Sequence, residues 1–357
     1  MATSTEDLLV LAAGLIDAWD RGGRGEETTA NEGAAQFQGL EMPRRPRGGL
    51  AIGRSINPQT RQPRLEMRVT AKSGPNHLLA RNLAKQAETQ GVEVILKYLK
   101  NSIMGAPPQL QPVIGGQRRP LHIGASIANR RSMAGTLGAF VKLPDGGTGV
   151  LSCGHVLARA GRKWAAAKAP VHHPGQPEEN PVMDINRIGE LTGLFAPFLD
   201  SQTNNLDAAV ARLDSDREHL GNTIVDLPCI PSGFRGRPVG RPLEATELEI
   251  ETRVVKLGRT TGFTEATISA LDFQNLRVRV GTGASAPTFT FSGIYEVIWD
   301  EGAQFAAGGD SGSLVLTKEG LRPVGLHFAS IEAEDGGWIS YVIPCSTIFA
   351  AFNVTLL

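Results

Sequence analysis

Apolar side chains at Leu8, Leu11, Ala12, Leu15, Ile16 and Trp19 recur at the spacing of one helical face, and Ser4 with Asp7 ahead of them supplies a helix-start signature. That pattern breaks in a Gly- and Glu-rich stretch over residues 22–33. Beyond it Leu65, Met67 and Val69 alternate with Glu66, Arg68 and Thr70, the period of a strand with one face buried. Leu79, Ala80, Leu83, Ala84 and Ala87 then form a helical stripe ended by Gly91, and Val92, Val94 and Leu96 begin another strand. Residues 35–100 read as a small α+β unit, within an N-terminal module spanning 1–100.

Residues 101–121 hold Pro107, Pro108, Pro112, Pro120 and the Gly115-Gly116 pair, which suit neither a helix nor a central strand, so a linker is expected there. The pattern then changes to short β-rich runs: Gly138–Leu143, Gly149–Ser152, Val254–Leu257, Thr267–Leu271, Leu276–Val280 and Tyr295–Trp299. Gly- and Pro-bearing turns separate them, which predicts a sandwich or barrels. A Pro-rich stretch from Leu227 to Pro242 divides this region into 122–226 and 227–357, sizes that suit two small barrels in tandem. Apolar positions over Ser346–Phe352 predict a terminal helix.

Composition narrows the function classes. Thirty-six basic and thirty-six acidic side chains cancel, leaving no global field to draw in nucleic acid or an anionic membrane. The basic cluster Arg44, Arg45, Arg47 is short and Pro-rich and reads as a solvated loop. Three cysteines, Cys153, Cys229 and Cys345, fit a reducing compartment better than a disulfide-stapled secreted scaffold. Acidic Glu6 and Asp7 precede the apolar N-terminal run where a secretion signal carries positive charge, so cytoplasmic placement is expected. No His or Cys spacing matches a zinc site, and neither a metal nor a cofactor is expected.

The sharpest chemical signal is Gly308-Gly309-Asp310-Ser311-Gly312-Ser313 ahead of the apolar run Leu314-Val315-Leu316. Gly309 lets its N–H turn toward a substrate carbonyl, so that with the Ser311 N–H it forms an oxyanion hole, while Gly312 leaves the flank of the nucleophile open. A serine needs a base within hydrogen-bond reach. His155, in Leu151-Ser152-Cys153-Gly154-His155-Val156-Leu157, is the best candidate, and Asp207, just before the apolar strand Ala208–Ala211, can fix its tautomer. His172, His173 and His219 lie in polar or Pro-rich surroundings and are expected at the surface. His327 reads as a structural or substrate-contacting group.

The order His155, Asp207, Ser311, the Gly-Asp-Ser-Gly context and the two-barrel layout resemble the trypsin/chymotrypsin superfamily over residues 120–357. Lys256-Leu257-Gly258-Arg259-Thr260-Thr261-Gly262 resembles the first strand and turn of the second barrel in bacterial trypsin-like peptidases. Val324-Gly325-Leu326-His327-Phe328 resembles the strand that lines the substrate pocket. The resemblance implies a mainly β fold, a chymotrypsin-like double β-barrel behind the α+β module, with a cleft between the barrels. It also implies a serine endopeptidase working through an acyl-enzyme on protein or peptide substrates. Asp310 is expected to be buried and paired so that it fixes the oxyanion loop. In many activated members an acid at this place pairs with a newly cut N-terminus, and Ile123-Gly124-Ala125-Ser126 after Arg118-Arg119 resembles such a start only weakly.

Pocket walls are expected from Phe305, Ala306, Ala307, His327, Phe328 and Ala329, with no carboxylate among them, so cleavage after an apolar residue is expected. A catalytically silent peptide-binding scaffold is the alternative function. An esterase of the α/β-hydrolase kind does not fit, because the second glycine of Gly-x-Ser-x-Gly is replaced by Ser313 and the acid and histidine follow in the wrong order. The N-terminal module is expected to regulate the protease, as a prodomain, an activation-controlling domain or a partner-binding domain.

Overall fold

A computed structural model describes residues 49–70, 74–89, 91–100, 120–129, 132–160, 163–165, 167–175, 186–199, 202–280, 287–301 and 303–357. The helix expected over residues 4–19, the cluster at Arg44, Arg45 and Arg47, the linker up to residue 119 and the Arg118-Arg119 pair lie outside the described residues.

Two antiparallel β-barrels follow one another along the chain. The first is built from Ser126–Asn129, residues 135–142, Thr148–Ser152, Pro170–His172, Arg187–Phe195 and Ala209–Leu213. Residues 135–142 pair at their start with Ser126–Ile127 and at their end with Thr148–Leu151, so the sheet curls back on itself. The second barrel closes as a ring of six: Arg253–Gly258, Leu314–Thr317, Pro323–Glu332, Trp338–Pro344, Ile294–Ile298 and Gly262–Gln274, whose start returns to Arg253–Gly258. One apolar cluster runs through both, joining Phe140, Val141 and Leu151 to Leu257, Phe273, Leu326 and Phe328. The terminal helix Cys345–Phe352 ends at Asn353 in the left-handed region (φ 50°), and Thr355–Leu356 then pairs back onto Val141–Lys142 of the first barrel.

The N-terminal module is joined to the second barrel through its sheet. The strand Leu50–Ile56 pairs with the far end of Gly262–Gln274, through Ile52 with Gln274 and Arg54 with Leu271. Pro63–Val69 pairs next, and the helix Pro75–Thr89 crosses over to Glu93–Tyr98, which lies parallel to Pro63–Val69 at the sheet edge. Leu79, Ala80, Leu83 and Ala87 of that helix pack on Leu50, Ile52, Leu65 and Met67, as their spacing predicts.

The alternating strand Leu65–Thr70 departs from its sequence pattern. Glu66 and Arg68, on the face expected to be polar and open, are each 2% exposed, because the second barrel covers that face. Arg68 donates from Nε and Nη2 to the two carboxylate oxygens of Glu296 at 2.8 and 2.6 Å, and from Nη2 to Glu66 at 2.9 Å. Ser269 and Tyr341 donate to the same Glu296 carboxylate, and the guanidinium stands 5.6 Å from the Phe273 ring centre. Burial alone would lower the Arg68 pKa, but Glu296 and Glu66 outweigh it and raise it.

Candidate active site

His155 occupies the single-turn helix Gly154–Leu157, which starts where Thr148–Ser152 leaves the first barrel. Asp207 precedes Ala209–Leu213, the neighbouring strand, and Ala209 stands opposite Ser152. This pairing brings residues 52 positions apart into contact at two points. The His155 N–H donates to Asp207 Oδ1 at 3.0 Å, and the ring Nδ1 meets Asp207 Oδ2 at 2.5 Å. The carboxylate is fully buried while the imidazole keeps 12% of its side chain exposed. A buried acid on Nδ1 leaves Nε2 as the nitrogen that can take a proton.

Cys153 lies beside this pair, with one ligating atom of each of Cys153, His155 and Asp207 falling within 4.8 Å of one another. The arrangement suits a hydrogen-bonded imidazole and carboxylate better than an ion. Both Asp207 oxygens already accept from His155, and Cys153 Sγ donates to the His327 carbonyl at 3.3 Å. Burial, with the Asp207 charge adding to it, pushes the Cys153 thiol well above its ordinary pKa and keeps it protonated.

The Ser311 loop belongs to the second barrel but rests on the first. The Thr136 N–H donates to the Ser311 carbonyl at 2.8 Å, and the Thr136 hydroxyl donates to the Gly309 carbonyl at 2.8 Å. Gly312 is in the left-handed region (φ 92°), and a Cβ there would lie 2.1 Å from Ser152 Oγ and 2.5 Å from the Thr136 carbonyl. Its glycine therefore serves the approach of the two barrels, where the sequence suggested an open flank. Gly309 also has positive φ (100°), and its N–H and that of Ser311 donate to no other group among the described residues.

The loop is held from beneath by a charge pair that sequence reasoning found by half. Asp310 is fully buried, as expected, and its partner is Lys256 Nζ at 3.2 Å, also fully buried. Asp310 further accepts from Thr260 N–H (2.8 Å), Thr261 N–H (3.2 Å), Thr261 Oγ1 (2.6 Å) and Ala307 N–H (3.0 Å). Burial would raise its pKa, but the Lys256 ammonium and these donors outweigh it and hold the carboxyl below its ordinary value. Burial likewise lowers Lys256, against the pull of Asp310. The available signal was a lysine between Val255 and Leu257 in an apolar strand, where a cation needs a buried partner. Ile123, the weakly matching N-terminal candidate, is an interior residue buried in the apolar core.

Phe305, Ala306, Ala307, His327, Phe328 and Ala329 are all buried. The His327 ring meets Phe305 edge-on at 6.3 Å, and the Lys256 ammonium stands 5.3 Å from the Phe305 ring centre. Burial and the nearby Lys256 charge push His327 down to about 3, so it is neutral at ordinary pH. Two histidines expected at the surface are instead inside the first barrel, His172 3% and His173 7% exposed. His173 bonds through Nδ1 to the Ser126 carbonyl at 2.8 Å, and burial lowers its pKa. Of the prolines around them, Pro170 opens the strand Pro170–His172 and Pro174 follows it. His219 is half-buried and stacked on Phe140 at 4.7 Å.

Several solved structures resemble the chain at low sequence identity. The chain is similar to bacterial serine proteases. Protease A of Thermobifida fusca shares 19% identity, with 67% of this chain and 99% of that one covered, at a TM-score of 0.44. A glutamic acid-specific serine protease that uses a histidine triad in substrate binding shares 17%, covering 66% and 100% of the two chains, at 0.45. Cellulomonas bogoriensis chymotrypsin shares 19%, covering 67% and 99%, at 0.41. No family model and no curated protein matches the sequence. Among the described residues no helix is long and apolar enough to cross a membrane.

Proposed function

We propose that the chain is a serine endopeptidase with Ser311 as nucleophile, His155 as base and Asp207 as the acid that orients it. The observation that carries this reading is the two-point hold of His155 by a buried carboxylate, beside a Gly-Asp-Ser-Gly loop docked on the same barrel. In the reaction, Ser311 Oγ attacks the scissile carbonyl as its proton passes to His155 Nε2. The N–H groups of Gly309 and Ser311 receive the negative oxygen. His155 then hands the proton to the departing amine, and water, deprotonated by the same ring, hydrolyses the acyl ester. Protein or peptide substrates follow from this chemistry, and the apolar walls at Phe305, Ala306, Ala307, Phe328 and Ala329 favour an apolar residue before the cut.

A fluorophosphonate probe tests the proposal, since an activated serine displaces its fluoride and is phosphonylated. Wild type should be labelled at Ser311, and Ser311→Ala should lose both label and turnover by about 10⁶. Asp207→Asn should cost roughly 10⁴ in kcat by presenting the wrong tautomer. Equal turnover in wild type and Ser311→Ala removes the assignment.

A further inference from the structure

Arg259 stands in the turn that follows Arg253–Gly258, and it reaches from the second barrel to the first. Its N–H donates to Thr136 Oγ1 at 3.1 Å and its Nη1 to the Ala134 carbonyl at 3.3 Å. The same guanidinium lies against Gly309, where a Cβ would come within 2.8 Å of Nη1. The rest of the group is unspent. Nε is buried without a hydrogen-bond partner, while Nη2 makes no hydrogen bond among the described residues and is not buried. Arg68 and Lys256, the fully buried cations among the described residues, each have a carboxylate; Arg259, half-buried, has none within ion-pair distance. Asp310, the acid whose charge reaches it, is already held by Lys256, Thr260, Thr261 and Ala307. Burial pulls the Arg259 pKa down, and the Asp310 charge offsets this only in part.

The place of Arg259 along the substrate path follows from the Ser311 loop, which has a different neighbour on each side. Gly312 N–H donates to the His327 carbonyl at 2.8 Å, on the side of the pocket walls. On the other side the Thr136 N–H donates to the Ser311 carbonyl at 2.8 Å, and there Ala134 and Arg259 meet. A peptide whose acyl part lies against Phe305, Ala306, Ala307, Phe328 and Ala329 continues across Ser311 toward residues 134–136. Met133, the residue before Ala134, is 63% exposed, so no described element covers that wall.

Resting on the assignment of Ser311 as nucleophile, we propose that Arg259 determines specificity on the leaving side, receiving a carboxylate carried by one of the two residues after the cut. A guanidinium has five N–H donors, and here one nitrogen is in use. Nε and Nη2 share one edge, the edge that Arg68 turns to Glu296. A carboxylate oxygen on Nη2 brings its second oxygen toward Nε, the pairing that planar acids make with arginine. Such a pair is shielded from water by Gly309 and Ala134 on one flank, so it is worth more than an exposed ion pair. The carboxylate can be an Asp or Glu side chain or the end of a short leaving piece; both present the same two oxygens.

Cleavage of a mixed peptide library, read by mass spectrometry, tests this. Wild type should cut where Asp or Glu occupies one of the two positions after the scissile bond. For synthetic pairs differing only there, kcat/KM should favour Glu over Gln by about tenfold, and about 1 M salt should shrink that ratio. Arg259→Gln should bring the ratio to about one and Arg259→Lys should keep part of it, since a lysine holds the charge without the fork. Comparing substrates within one variant makes the ratio independent of how much enzyme is folded. Peptides ending two residues after the cut, with a free or an amidated terminus, separate the two sources of carboxylate, and a preference for either upholds the proposal. A wild type that cuts without regard to charge after the scissile bond overturns it alone. So does an Arg259→Gln that keeps the Glu-over-Gln ratio, the result expected if the arginine only ties Ala134 to the loop. If Arg259→Gln gives no labelled serine, the wild-type ratio and its fall in salt decide. A wild type that the fluorophosphonate never labels overturns the nucleophile assignment and this inference with it.

Discussion

Lys256 and Asp310 illustrate how one buried pair can anchor the loop that carries Ser311. Both side chains are fully buried, so removing either leaves a buried charge without its counter-ion. Lys256→Met should cost about 3–5 kcal/mol, read as a lower denaturant midpoint at unchanged slope. It should also lower kcat, because Asp310 anchors the amides of Thr260, Thr261 and Ala307 around the loop. The acid limb carries a second expectation. Asp310 has a folded pKa below its unfolded one, so its stabilisation is complete above the ordinary carboxylate range and is lost as pH falls through the lower folded value. Across that interval Asp310→Asn should change stability with pH less steeply than wild type, in denaturant titrations from neutral to strongly acid. Gly312→Ala should lower both stability and turnover, since its methyl meets the Thr136 carbonyl and its φ disfavours any side chain.

At the scale of elements, the module of residues 49–100 behaves as sheet, not as an appendage. Arg68→Met should destabilise the protein by about 3–5 kcal/mol, since Glu296 would lose its cation in a fully buried site. Deleting residues 1–100 should leave an insoluble or inactive second barrel, checked by expression and fluorophosphonate labelling. The sequence showed the helix Pro75–Thr89 and its flanking strands because their apolar spacing is local. It did not show that Glu66 and Arg68 are interior, because alternation reports a polar face without saying what covers it. Leu50–Ile56 and Arg187–Phe195 went unread as strands for a related reason: interrupted by glycines and charges, neither holds a clean period of two. His155, Asp207 and Ser311 stand out in the sequence as candidates because their neighbours form recognisable short motifs. Lys256 could not be assigned its partner, because it meets Asp310 only through the pairing of Arg253–Gly258 with Leu314–Thr317 across 54 positions.

For the whole molecule, the apolar cluster shared by the two barrels predicts one cooperative unfolding transition. Calorimetric and van't Hoff enthalpies should agree, and two separated transitions would show the barrels to be independent. The C-terminal strand ties the same two halves from outside: Asn222 donates to the Phe140 carbonyl at 2.8 Å while the Leu357 N–H donates to that carbonyl at 3.0 Å. Removing residues 353–357 should lower the melting temperature with little change in the labelling rate at Ser311, because the strand lies away from the loop that carries it.

The ammonium beneath the Ser311 loop comes from a side chain, not from a chain end. It is therefore present as soon as synthesis is complete, and the loop can take its working shape in the uncut polypeptide without a freed terminus to wait for.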